Sequence, residues 1–191
     1  MTAADAVVEY KDTLLELART TIDTALTEAR TVQPDPADYP EPLRAERASF
    51  VTLLKGANRD LRGCIGSLQA QRPLVVDVAA NAVGAAFHDP RFPPLQASEW
   101  PDIQIKIEVL TPAEPIDFTD EADLVDQLRP GQDGVILQAG PHQGTFLPTV
   151  WESLPEPWQF WGHLRRKAGL PAEGPLPTGT KVWRYGTVVL S

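Results

Sequence analysis

The chain has 191 residues, of which 42% are hydrophobic and 23% charged, the balance of an ordinary folded protein and not of a disordered one. Its formal net charge is −9, a sign that repels phosphate backbones and sets general nucleic-acid binding aside unless a local basic patch overrides it. A single cysteine excludes an internal disulfide; no apolar run approaches the ~20 residues of a membrane span, and the start Met1-Thr2-Ala3-Ala4-Asp5 lacks a signal-peptide pattern, so the expected location is the cytoplasm, with no membrane partner.

From Asp5 to Arg30, residues Val7, Tyr10, Leu14, Leu17, Ile22, Ala25 and Ala29 recur at helical spacing and predict one apolar helix face. The proline-rich stretch Pro34 to Pro42 should end that helix. Ala48 to Lys55 reads as a strand, Gly56-Ala57-Asn58 as a turn, and Leu61 to Gly66 as the second arm of a hairpin. Pro73 then opens a helix through Val76, Ala79, Ala80, Val83 and Phe87, broken at His88-Asp89-Pro90. Ile103, Ile105, Ile107 and Val109 alternate with Gln104, Lys106 and Glu108, a strand expected to be apolar on one face and wet on the other.

The second half continues in smaller pieces. Thr119 is placed to cap a short helix through Leu128. Gly134 to Ala139 reads as a strand, turned back by Gly140-Pro141-His142-Gln143-Gly144 into Thr145-Phe146-Leu147. A helix is expected after Pro157, with Phe160, Leu164 and Ala168 inward, and Lys181 to Leu190 closes the chain as a strand. Hairpins with segregated helices predict an α+β fold with mostly antiparallel sheets.

The chemistry concentrates in Leu61-Arg62-Gly63-Cys64-Ile65-Gly66. Arg62 beside the thiol favours a thiolate, and Gly63 and Gly66 let a ligand or another backbone approach. A nucleophilic Cys64 needs a base, and His88, which ends the following helix, is the best-placed imidazole; His142 and His163 read as solvated. Asp89, Arg91 and Phe92 then form either a self-braced loop or a mouth whose arginine binds a carboxylate or phosphate. The alternative for Cys64 is a small packing residue. Arg165-Arg166-Lys167 is a helix surface or an anion contact, and Trp151, Trp158 and Trp161 are core anchors or a stacking surface. No metal-ligand spacing and no phosphate-loop glycine pattern is present, so no cofactor is expected.

Several motifs occur together in order. They are the Cys64 hexapeptide, Phe50-Val51-Thr52-Leu53, Asn81-Ala82, Ala85-Ala86-Phe87, Asp89-Pro90-Arg91-Phe92-Pro93-Pro94, Gly131-x-Asp133-Gly134-Val135, Phe146-Leu147-Pro148-x-Val150-Trp151 and Lys167-Ala168-Gly169-Leu170. Over residues 10–187 the chain resembles the AMMECR domain family, also called AmmeMemoRadiSam system protein A. That resemblance implies a single α+β domain of two intimately packed subdomains with a cleft between them. It also implies two companions, a Memo-like protein and a radical S-adenosylmethionine enzyme. Thr149 departs from the Gln that such proteins often carry after Phe-Leu-Pro. The resemblance brings no established reaction. Two functions stay open: a cleft protein acting on or binding a small anionic ligand through Cys64, or a non-enzymatic adaptor in which Cys64 is structural.

Overall fold

The computed structural model describes residues 3–191, with side chains from residue 6. Its elements are α1 (Ala3–Glu9), α2 (Lys11–Glu28), α3 (Glu41–Arg44), β1 (Ser49–Lys55), β2 (Asp60–Gly66), α4 (Leu74–Val83), β3 (Ile103–Leu110), β4 (Glu114–Pro115), α5 (Glu121–Asp126), β5 (Gly134–Ala139), β6 (His142–Phe146), α6 (Pro157–Lys167), β7 (Lys181–Tyr185) and β8 (Thr187–Leu190). This is an α+β fold. The chain divides into two compact units, residues 1–110 with 188–191, and residues 111–187.

The first unit is built on a sheet of order β2-β1-β3-β8. Strand β1 pairs antiparallel with β2 on one side and β3 on the other. The alternation of β1 and β3 puts Val51, Leu53, Ile105, Ile107 and Val109 into one core with Leu14, Ala18 and Ile22 of α2 and Leu74, Val75, Val78 and Ala82 of α4. The expected first helix is two helices, broken at Tyr10. It stops before the prolines because Ala29, exposed and not on the buried face, takes a left-handed conformation (φ 51°) that ends the helix. The expected wet face of β3 is corrected at Glu108, which is only 1% exposed.

Helix α4 follows Pro73 as expected, but its last turn widens into a π turn over Gly84–His88. Polar residues anchor its other end. Buried Asp77 accepts from Ser49 N–H, Ser49 Oγ and Arg72 Nε at 2.8, 2.6 and 2.7 Å.

The second unit carries a sheet of order β4-β7-β5-β6. Its core joins Val135, Leu137 and Val182 to Phe160, Trp161 and Leu164 of α6 and Trp151. Trp151 and Phe160 stack with centroids 3.7 Å apart. The β5–β6 turn is tighter than expected: Ala139 pairs with His142, leaving Gly140 (φ 58°) and Pro141 as a two-residue turn. Asp120, not Thr119, caps α5, accepting the N–H of Asp123 at 2.9 Å. The expected final strand is two strands in two sheets, separated at Gly186, whose N–H donates to Thr111 Oγ1 at 2.8 Å. Among the described residues, no helix is long and apolar enough to cross a membrane.

Candidate functional site

Strand β2 lies at an edge of its sheet, and Cys64 pairs there with Thr52. The backbone of Cys64 faces outward and is met by side chains. Its N–H donates to Asp89 Oδ2 at 2.8 Å, and its carbonyl receives a long contact of 3.5 Å from Arg91 Nη2. Asp89, placed just beyond the π turn, also accepts from Arg91 N, Nε and Nη2 at 3.0, 3.0 and 2.7 Å. These donors, the Arg91 side chain first, hold the Asp89 carboxyl well below the usual carboxylate range. Asp89 and Arg91 thus take the place of a further strand and blunt the open edge.

The π turn explains Gly63, and the Phe50 ring of β1 explains Gly66. A Cβ on Gly63 would stand 2.1 Å from the Ala85 carbonyl oxygen of that turn. One on Gly66 would stand 2.2 Å from the Phe50 ring. Of the two expected uses of these glycines, approach by a ligand or by another backbone, Gly63 shows the second, while Gly66 makes room for a ring of the neighbouring strand.

Thr52 and Cys64 bring their side chains together, as non-hydrogen-bonded antiparallel pairs do, and Thr52 Oγ1 donates to Sγ at 3.3 Å. Burial pushes the thiol above its ordinary value. The Thr52 hydrogen bond and the charges of Arg91 and Lys106 pull it down by less, while Glu108 adds to the rise. The expected activation by Arg62 is corrected. Register between β1 and β2 shifts at Leu53/Leu54, so Arg62 sits at a bulge and turns elsewhere. Its Nε and Nη2 donate to Glu99 at 3.0 and 2.9 Å, and Nη2 also to Pro93 O at 3.0 Å. Glu99 accepts Lys55 as well, at 2.9 Å.

The pairing of Cys64 with His88 is corrected too. His88 ends the π turn exposed to solvent and makes no hydrogen bond to Sγ; Thr52 holds that position. Phe92 is half-buried between two guanidinium groups, 5.8 Å from Arg62 and 5.5 Å from Arg91. Arg91 is the open cation of the group, its side chain 55% exposed.

Three residues of this face were not singled out in the sequence: Thr52, Lys106 and Glu108. Thr52 lies opposite Lys106 on its other side, and Lys106 Nζ pairs with Glu108 Oε2 at 3.1 Å. Glu108 Oε1 is buried without a hydrogen-bond partner among the described residues. The strand alternation contained the signal, since it puts all three on the face that carries Cys64. Among the described residues no cluster of His, Cys, Asp and Glu is arranged to hold a metal ion.

The fold is shared with a solved structure, that of the uncharacterized protein PH0010 from Pyrococcus horikoshii. It superposes with a TM-score of 0.86 at 32% identity, covering 95% of this chain and 90% of that one. The AMMECR1 family profile matches residues 15–190, and the chain belongs to that family. A relative in Thermofilum pendens is 36% identical over 90% of this chain and 84% of its own length. One in Methanothermobacter thermautotrophicus is 36% identical over 91% and 89%, and one in Thermococcus onnurineus 37% identical over 93% and 87%.

Proposed function

We propose that the Cys64 face binds a small anionic ligand, with the thiol protonated and serving as a packing and hydrogen-bonding group, not as a nucleophile. The observation that carries this reading is the thiol's surroundings. Burial keeps it protonated, its hydrogen-bond partner is a hydroxyl, and two cations, Arg91 and Lys106, act on it. Those cations suit a carboxylate or phosphate, and Asp89 pre-orients Arg91 for one. The unpartnered oxygen of Glu108 would accept an N–H or O–H of the same ligand. In this reading the Memo-like and radical S-adenosylmethionine companions act on the ligand that this protein holds.

Calorimetric titration with a panel of small carboxylates and phosphate esters tests it. Arg91→Ala and Lys106→Met should each weaken a binding member by about tenfold, and Cys64→Ser should leave affinity nearly unchanged. Binding indifferent to both cations, or turnover of a ligand that is lost in Cys64→Ser, would contradict the reading. The adaptor alternative is favoured by one observation: Gly63 and Gly66 are occupied by the protein's own carbonyl and ring. It expects co-purification of a Memo-like or radical S-adenosylmethionine partner at low salt, undiminished in Arg91→Ala.

A further inference from the structure

The second unit holds a groove of about 420 Å³ between α6 and residues 172–174, within the size range of small-molecule sites. Trp158, Gly162 and Arg166 follow one another at four-residue intervals along α6 and share the face that lines it. Trp158 is 55% exposed, although tryptophan is usually well covered. Gly162 lies in the helix interior, where glycine is less favourable than alanine. Packing does not require it, since an added Cβ would meet nothing nearer than 3.7 Å, from the Ala172 carbonyl oxygen. The result is an open floor between an indole face and a guanidinium.

Beneath the floor, Arg165 is 1% exposed and lines the same groove. Its Nη1 donates to Glu121 and to the Gly174 carbonyl, and Trp161 Nε1 also donates to Glu121. These bonds tie α5, α6 and the loop together and account for Arg165, Glu121 and Trp161 as structure. They do not account for Arg165 Nε, which is buried with no partner among the described residues. Nor do they account for the glycine or the exposed tryptophan.

We propose that this groove binds a planar heteroaromatic ring carrying an oxyanion. The ring stacks on Trp158 over the Gly162 floor, and the oxyanion lies toward Arg166 and the Arg165 guanidinium. Exposed Glu173 on the loop wall repels the anion from that end and suits an amino or ring N–H of the ligand, which fixes its direction. A carboxylate and a phosphate share this chemistry.

The test is calorimetric titration of the full chain with adenosine 5′-monophosphate, indole-3-acetate, adenosine and inorganic phosphate. At least one of the first two should bind, with adenosine and phosphate each at least about tenfold weaker. Binding by the nucleotide alone assigns a phosphate ligand, and by indole-3-acetate alone a carboxylate. Trp158→Ala should weaken binding about tenfold. Gly162→Ala is the sharper variant: a methyl on the floor should weaken binding while the melting temperature rises, because alanine is the better helix former. No binding of either ring-plus-anion probe at about 1 mM, phosphate alone binding as well as the nucleotide, or full affinity in Gly162→Ala would each overturn the proposal.

Discussion

Burial acts on Cys64 more strongly than either cation near it, so the thiol stays protonated even with Arg91 and Lys106 in range. The sign for stability follows. A folded pKa above the unfolded one helps the fold at neutral pH and loses that help as pH rises through the folded value, so Cys64→Ser should flatten the alkaline end of a stability profile. Asp89 works in the opposite direction. Its folded pKa lies below the unfolded ~3.9, so its contribution is present above that value and is lost as pH falls. The stability gap between the protein and Asp89→Asn, followed by thermal unfolding, should hold steady down to about pH 5 and narrow progressively as pH falls below about 4. At Gly63 the neighbour is a backbone carbonyl that cannot rotate away. Gly63→Ala should therefore cost about 1–3 kcal/mol or more, read in denaturant unfolding. Activation by a neighbouring arginine was the natural reading of Arg62-Gly63-Cys64, and it failed because a bulge changes which way Arg62 points.

Among the elements, the β1–β2 hairpin, α4, β3 and α6 were legible, because alternation, Pro73 and Pro157 mark them directly. The π turn was not. It has the same residues as a continuing helix, and only the Gly63–Ala85 and Gly84–Ile65 approaches, made between distant parts of the chain, select it. That turn delivers Asp89 to the edge of β2, so the arrangement of the site was hidden with it. The bulge likewise is stabilised by a distant partner, Glu99, whose carboxyl Arg62 and Lys55 hold well below its usual range. Arg62→Ala should lower stability by about 2 kcal/mol, less than for a fully buried pair because Glu99 keeps Lys55. Equal loss in Arg62→Lys would show that the planar fork matters, since Nε and Nη2 both reach Glu99.

For the whole molecule, antiparallel hairpins and segregated helices gave the α+β class, but not the assignment of strands to units. The C-terminal strand β8 belongs to the sheet of the first unit, while β7, immediately before it, belongs to the sheet of the second. Residues 181–190 are rich in β-branched and aromatic residues on both sides of Gly186, which hides that division; Gly186 is the sequence mark of it. Deleting Val188–Ser191 should therefore raise amide exchange in β3 by about tenfold or more and leave β5 and β7 protected, measured by hydrogen–deuterium exchange. Equal loss of protection in both sheets would contradict the division into units. The Cys64 face was visible as a motif and its cross-strand partners were not, because Thr52, Lys106 and Glu108 come from two strands far apart in sequence.

The alkylation rate of Cys64 in the native protein, followed against pH beside Arg62→Ala and Arg91→Ala, tests the central claim most directly. The expected result is an apparent pKa above the ~8.5 of an ordinary thiol, unchanged by Arg62→Ala and raised further by Arg91→Ala. An apparent pKa well below ~8.5 that rises when Arg62 is removed would mean an activated thiolate and would contradict a binding role for a protonated Cys64.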